Sequence, residues 1–239
     1  MRPLFLLGGL RIGDCFHTVP FLNELVKKYP NLLWCAGKYE EVVVRYLCRV
    51  YNIECKILPD GFPGDLKSRE IFRDAVKEQT DLSEFSPIID DVCNSFDVGG
   101  GKHSLLPLTP PKKGSPYVVI HSHSISEGKD VSFLNRLKLS CPIYLLGRGD
   151  EVVPEGYVDF RNRPFEDVAN LIMGSSVFIG IHSAMTCFSF YLPGVSAIVC
   201  HFAPSGLLEF GKHRTDWVDL KEPTEALVYK ILKEKYGII

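Results

Sequence analysis

Residues 4–30 read LFLLGGLRIGDCFHTVPFLNELVKKYP, and this stretch decides the fold because an apolar run, a glycine turn and an amphipathic segment follow one another. Residues 4–7 are all apolar and end at glycine, which is typical of a parallel strand buried on both faces. Apolar residues then recur at helical spacing until Tyr29-Pro30. Pro20 is tolerated if the helix begins near Thr18, which we predict as its N-cap. The stretch therefore predicts a strand, a turn and a helix.

The same alternation continues along the rest of the chain. Further strands are predicted at residues 32–36, 53–58, 117–122, 143–147, 177–181 and 197–202. Further helices are predicted at residues 40–51, 67–77, 131–139, 165–173, 183–192 and 224–236, whereas residues 82–98 are ambiguous. Strands that alternate with helices predict parallel sheets covered on both faces.

A glycine- and proline-rich segment divides the chain. It begins at Gly99-Gly100-Gly101 and continues to Pro116, a composition typical of a linker. We predict an N-terminal domain at residues 1–100, a linker at 101–116, a C-terminal domain at 117–222, and a last helix at 223–239 that can pack back on the first domain. The predicted fold class is α/β, with two Rossmann-like, doubly wound domains that face a cleft.

Composition and charge exclude several classes of protein. With 46% hydrophobic and 23% charged residues, the chain of 239 residues is neither disordered nor fibrous. A net charge of −2 provides no general attraction for a polyanion. The eight cysteines form no C-x-x-C pair and are expected to be reduced thiols. No stretch approaches the roughly 20 apolar residues of a membrane-spanning helix, so we expect a soluble, cytoplasmic protein.

Polar residues follow the predicted strands, at the edge where doubly wound sheets bind ligands. These residues are Arg11, Gly13, Asp14, His17, His121, His123, Ser124, Arg148, Asp150, Glu151, His182, Ser183 and His201. Five of the seven histidines are among them, so the ligand edge is expected to be rich in imidazole. After the first strand, we expect Arg11, Gly13 and His17 to bind substrate or donor.

Residues 8–30 resemble the N-terminal signature of glycosyltransferase family 9, the heptosyltransferase-like enzymes. The shared features are the Gly13-Asp14 pair, His17-Thr18 and Tyr29-Pro30. The resemblance implies the GT-B fold and sugar transfer from a nucleotide-diphosphate donor, with Asp14 as the general base. A carboxylate can accept the proton of an acceptor hydroxyl that attacks the anomeric carbon. Alternatively, Asp14 stabilises the first turn of a helix through the macrodipole.

The second half resembles the same family more loosely. Residues 117–129 are similar to its strand and phosphate-binding loop, which implies that Ser124 and Lys129 contact the donor diphosphate. Residues 144–151 are similar to a strand-glycine-glutamate element, in which Glu151 or Asp150 would hold the ribose hydroxyls. Lys129 is explained almost equally well as solvated surface, and the two acids as turn formers.

Residues 178–189 depart from the family pattern, because the aspartate and the histidine expected near residues 182–187 are absent. The amides at a helix N-terminus can still bind a diphosphate, assisted by the hydroxyls of Ser183 and Thr186. We therefore expect His182, Ser183 and Thr186 to bind the donor. The chain is also short for the family, with the deficit after residue 58, so the family's lipopolysaccharide acceptor is not carried over.

Three hypotheses of function follow. The first is an inverting, metal-independent glycosyltransferase that has no cofactor, uses a nucleotide-diphosphate sugar as co-substrate, and acts on a saccharide or other hydroxyl acceptor. The second is a catalytically degenerate nucleotide or sugar-phosphate binding protein. The third is a phage-type glycosyltransferase acting on a modified nucleic-acid base, which the net charge does not favour. A dehydrogenase is not favoured, because the second glycine of residues 8–13 comes one place early and no acid directly follows the second strand. A zinc site at His121 and His123 would need a further ligand.

Overall fold

The computed structural model describes residues 2–6, 12–58, 85–89, 105–122, 131–147, 149, 152–201, 210–212 and 214–238. The helix predicted at residues 67–77 lies outside these ranges. The chain divides into two compact units, Met1–Leu108 and Thr109–Ile239, and each contains one parallel sheet. Within the described ranges, no helix is both long enough and apolar enough to cross a bilayer.

The first unit contains a sheet of four parallel strands. Its strands are β1 Arg2–Leu6, β2 Leu33–Ala36, β3 Glu54–Ile57 and β4 Phe85–Ile89, and its helices are α1 Ile12–Phe16, α2 Val19–Lys28 and α3 Glu41–Tyr51. The strand order is β3-β2-β1-β4, so the direction of winding reverses next to β1. This reversal is the topological switch point, beside which α1 begins.

The single helix predicted after the first turn is in fact two helices, α1 and α2, with Thr18 between them. The Thr18 hydroxyl donates to the Cys15 carbonyl at 2.7 Å and accepts no hydrogen bond from an amide of α2. Thr18 is thus the N-cap residue of α2, as predicted, but its side chain makes no capping hydrogen bond. The chain is already helical before Thr18, so a carbonyl at the end of α1 needs a donor, while Pro20 lacks the N–H that a cap could accept. Buried Val19 and Leu22 anchor α2.

The second unit contains a sheet of six parallel strands in the order β10-β9-β8-β5-β6-β7. Its strands are β5 Val118–His121, β6 Ile143–Leu145, β7 Tyr157–Asp159, β8 Val177–Ile181, β9 Ala197–Cys200 and β10 Trp217–Leu220. Its α-helices are α4 Phe165–Gly174, α5 Ala184–Tyr191 and α6 Glu225–Tyr236. The switch point of this sheet lies between β5 and β8.

Three elements of the second unit differ from the prediction. The edge strands β7 and β10 were not predicted, because neither is a continuous apolar run: β10 combines buried and part-buried positions, and β7 has no buried position. The helix predicted at residues 131–139 is a 3₁₀ helix, Ser132–Arg136. Val131, Leu134 and Leu137 are buried there at a spacing of three, the period of a 3₁₀ helix.

The last helix, α6, packs in the core of the second unit. Val228 and Leu232 are fully buried in the cluster that covers the sheet, and their spacing of four residues puts them on one helical face. The Thr224 hydroxyl caps the helix by accepting from the Leu227 amide at 3.2 Å. A short connection from β10 delivers the apolar face of α6 to its own sheet. The packing of this helix on the first domain stays a prediction.

Candidate ligand site at the carboxyl edge of the second sheet

Polar side chains gather where four adjacent strands of the second sheet end. Strands β5, β8, β9 and β10 are parallel neighbours, so their carboxyl ends meet at one edge. The main-chain ladder continues past the strands, since the His182 amide donates to the Cys200 carbonyl and the His201 amide to the Leu220 carbonyl. We name the following residues the histidine edge: His121, Ser122, His182, Ser183, His201 and Asp219.

At the switch point, the histidine edge joins β5 to β8 through side chains. The Ser183 hydroxyl oxygen lies 3.2 Å from Nδ1 of His121, and both residues are part-exposed. Ser183 is the N-cap residue of α5, yet its hydroxyl makes no cap bond to that helix. Because the hydroxyl is directed to His121, it does not accept from the first N–H groups of α5, and these donors can bind an anion. Beside it, the Ser122 hydroxyl donates to Asn135 Oδ1 at 2.8 Å.

A buried histidine-aspartate pair lies on the other side of β8. His201 Nε2 is 2.6 Å from Asp219 Oδ1, and the two side chains are 6% and 10% exposed. The second carboxylate oxygen accepts from the Gly211 amide. A Cβ at position 211 would lie 2.9 Å from that oxygen, so glycine permits the close approach. Both oxygens of Asp219 are therefore held, which fixes the position of His201.

The ring of His182 contacts the ring of His201. Their centroids are 5.6 Å apart with an interplanar angle of 51°. His201 is buried, whereas His182 is part-exposed. The three side chains thus form a series from buried Asp219 through buried His201 to His182 at the surface.

Thr186, predicted to bind the donor, lies in the core. Its side chain is fully buried and its hydroxyl donates to the Ile181 carbonyl. A Cβ on Gly180 would approach this hydroxyl to 2.9 Å, so the glycine makes room for it. Thr186 begins the run of buried residues 186–191 in α5, and its hydroxyl satisfies a main-chain carbonyl. Its part in donor binding stays a prediction.

Imidazole, hydroxyl and carboxylate groups supply the chemistry of this edge. Burial raises the pKa of the neighbouring Cys200 thiol to about 12, which keeps it protonated and unreactive at neutral pH. Among the described residues, no three His, Cys, Asp or Glu side chains are arranged to hold a metal ion. His123, which the zinc alternative needs, lies outside them.

The predicted residues of the first unit follow β1. Gly13 and Asp14 lie in α1, and His17 follows it, part-buried. Several predicted residues lie outside what the structure describes, namely Arg11, Ser124, Lys129, Asp150, Glu151 and the side chain of Asp14. Asp219 was missed by sequence reasoning. Its only signal was the pair of buried positions, Trp217 and Leu220, that marks β10.

No protein-family model and no curated protein matches this chain. The E. coli heptosyltransferase WaaC with ADP matches at a TM-score of 0.63 and 12% identity, over 99% of this chain and 98% of that one. A family 9 glycosyltransferase from Veillonella parvula DSM 2008 matches at 0.58 and 12%, over 98% and 91%. The chain has the GT-B fold.

A third match is the iron-containing dodecameric glycosyltransferase TibC of enterotoxigenic E. coli H10407, at a TM-score of 0.51 and 17% identity. This match covers 83% of the present chain and 58% of TibC, so the chain spans little more than half the length of that protein. The predicted α/β class and GT-B fold are confirmed. The resemblance to glycosyltransferase family 9 seen in the motifs is present in the fold as well.

Proposed function

We propose that this chain is an inverting, metal-independent glycosyltransferase that moves a sugar from a nucleotide-diphosphate donor to an acceptor hydroxyl. The observation that carries the proposal is the histidine edge, a cluster of hydrogen-bonded polar side chains at the switch point of the second sheet. Nucleotides bind at this position in doubly wound sheets. WaaC, whose fold this chain shares, is described in complex with ADP.

The donor diphosphate would bind at the start of α5. The helix has eight residues and no side-chain cap, so its first amides and the positive end of its dipole favour an anion. His182 and the Ser183 hydroxyl lie at the same end and can donate further hydrogen bonds. We assign Ser124 and Lys129 to the diphosphate, and Glu151 to the ribose, on the strength of the motif resemblance.

Asp14 would act as the general base of the reaction. It takes the proton of the acceptor hydroxyl while the oxygen forms its bond to the anomeric carbon and the bond to the phosphate oxygen breaks. The nucleoside diphosphate leaves with the electron pair. In support, Asp14 lies in α1, the first helix after the central strand β1. We place the acceptor on the first unit, with Arg11, Gly13 and His17 around it.

A two-step experiment tests the proposal. Thermal unfolding is first measured against a panel of nucleoside diphosphates and their sugars, because a ligand that binds only the folded state raises the apparent stability. Release of the nucleoside diphosphate is then followed with the stabilising donor and a panel of saccharide acceptors. We expect one donor to stabilise the protein and to be turned over. A protein that no nucleotide in the panel stabilises would contradict the donor site.

A catalytically degenerate nucleotide-binding protein is the second candidate. The absence of the aspartate and histidine expected near residues 182–187 favours it. The Thr186 hydroxyl, which we expected to assist donor binding, is in addition used inside the core. Stabilisation by a nucleotide sugar without any release of nucleoside diphosphate, across all acceptors, would decide for this candidate.

A further inference from the structure

We propose that Asp219 and His201 form a buried positioning pair for His182, and that His182 is the imidazole that binds the donor diphosphate. The inference rests on the proposed function, because it assumes a nucleoside diphosphate at the histidine edge. Neither His201 nor Asp219 belongs to a motif that resembles family 9, and Asp219 lies on a strand that the sequence did not predict.

Asp219 is held at both of its carboxylate oxygens. A carboxylate that is 10% exposed needs hydrogen-bond donors, and it has two, His201 Nε2 and the Gly211 amide. Because an ionised carboxylate only accepts, Nε2 of His201 carries the hydrogen. The orientation of the His201 ring is thereby fixed by a partner that is itself held at both oxygens.

The ring of His201 contacts the ring of His182. The centroid separation of 5.6 Å lies in the range of aromatic packing contacts, so a fixed His201 ring limits the rotamers open to His182. An ordered side chain loses less conformational entropy when it binds a ligand. His182 follows β8 directly and precedes Ser183, the N-cap residue of α5. The positioned imidazole therefore lies where an anion would meet the helix N-terminus.

Burying a histidine-aspartate pair carries a desolvation penalty. A buried histidine-aspartate pair that served only stability could be replaced by packed apolar residues, often without loss. Its presence beside a part-exposed histidine and a hydroxyl is explained if the pair organises a ligand-binding surface. The chemistry that fits imidazole, hydroxyl and helix amides together is a phosphate or diphosphate.

The experiment is a calorimetric titration of the full chain with inorganic pyrophosphate, ADP and adenosine. For His182→Gln we expect affinity for pyrophosphate and ADP to fall about 10- to 100-fold, the loss expected of a hydrogen bond to a charged group. For His201→Gln and Asp219→Asn we expect a fall of about 3- to 30-fold. Adenosine lacks phosphate, so its binding should change in none of the variants.

The double variant His182→Gln/His201→Gln should bind pyrophosphate no more weakly than His182→Gln alone, because His201 acts through His182. A matched control is Asp216→Asn, which removes the carboxylate of another ion pair, with Arg214 at 2.8 Å, near the opposite end of β10. It should leave pyrophosphate affinity unchanged. His201→Gln keeps an N–H within reach of Asp219, so it remains informative if Asp219→Asn does not fold.

The outcomes separate the two proposals. Unchanged affinities in His201→Gln and Asp219→Asn, with a lowered melting temperature, would show that the pair is only structural and overturn the inference. Additive losses in the double variant would overturn positioning through His182. If the wild-type chain binds none of the phosphate ligands and no nucleotide of the wider panel, the proposed function itself fails, and the inference with it.

Discussion

At the amino edge of the second sheet, polar side chains donate mainly to main-chain carbonyls, whereas at its carboxyl edge they bond mainly to one another. Arg214, near the start of β10, donates to the carbonyls of Phe190, Leu192 and Val195 at 2.9, 3.1 and 2.7 Å. The Trp217 ring N–H donates to the Val195 carbonyl at 2.9 Å. The donors at the amino edge are thus used by the fold itself.

The carboxyl edge differs in both partners and exposure. Ser183 bonds to His121 from a neighbouring strand, and His201 bonds to Asp219 from another. His121, Ser183 and His182 are part-exposed, whereas the Arg214 side chain is 9% exposed. Similar polar residues therefore bond mainly to main chain at one end of the sheet and to other side chains at the end where we propose that the donor binds. Variants at four positions test how polar side chains are used at these edges and at the proposed base.

The largest effect is expected at the carboxyl side of the first sheet. Asp14→Asn should lower the rate of sugar transfer about 10²- to 10⁴-fold, the usual contribution of a general base, while nucleotide affinity stays unchanged. Steady-state release of nucleoside diphosphate measures the rate. Glu24→Gln is the matched control, because Glu24 is an exposed carboxylate on α2. Full turnover in Asp14→Asn would remove the proposed base.

At the amino edge, Arg214→Met should lower the stability of the fold without changing the affinity for pyrophosphate. We expect the free energy of unfolding to fall by about 2–4 kcal/mol, because the carbonyls of Phe190 and Leu192 and the Asp216 carboxylate each lose the Arg214 donor, while the Val195 carbonyl keeps Trp217. Urea denaturation measures the loss, and calorimetry with pyrophosphate should find unchanged affinity. Weaker pyrophosphate binding at unchanged stability would break the contrast between the two edges.

Thr186→Val tests whether this hydroxyl belongs to the core. Loss of its hydrogen bond to the buried Ile181 carbonyl should lower the free energy of unfolding by about 1–2 kcal/mol. Thr186→Ser keeps the hydroxyl and is the control for that bond. Nucleotide affinity should be unchanged in both variants. A fall in affinity in Thr186→Val alone would return Thr186 to the donor site.

The smallest effect concerns pH. The Tyr157 hydroxyl donates to the Leu134 and Leu137 carbonyls at 2.6 and 3.2 Å, and burial raises its pKa to about 12. The folded state therefore holds this proton more tightly than the unfolded state, whose tyrosine pKa is about 10. Its contribution to stability is full below about pH 10 and is lost as the pH rises towards 12.

Tyr157→Phe should remove part of this alkaline loss and cost about 1 kcal/mol at neutral pH. Urea denaturation of both proteins from pH 8 upwards measures the difference. The two curves should diverge between the unfolded tyrosine pKa of about 10 and the folded pKa of about 12. Parallel curves for the two proteins would show that Tyr157 does not contribute to the pH dependence.

Central strands were predictable because burial on both faces leaves a continuous apolar run. Residues 177–181 were predicted as a strand, and β8 has these bounds and is buried throughout. The edge strand β10 has only two buried residues of four, and β7 has none. Their pairing depends on a neighbouring strand rather than on a local pattern.

The candidate site was predictable in position but not in its contacts. Placing His121, His182 and His201 after strands requires only the hydrophobic pattern, because ligands bind beyond the carboxyl ends. The sequence did not indicate that the Thr186 hydroxyl is buried and donates to the Ile181 carbonyl, because side-chain burial depends on tertiary packing. Asp219 was not among the predicted site residues, because the strand that carries it, β10, was not predicted.

By itself, the sequence determined the α/β class, the succession of central strands and helices, and the residues that follow each strand, since hydrophobic period is a local property. Only the tertiary structure decided which of these residues meet. Ser183 and His121 are 62 residues apart, and His201 and Asp219 are 18 apart. Strand order brings them together, and that order results from packing between distant segments, which no local period encodes.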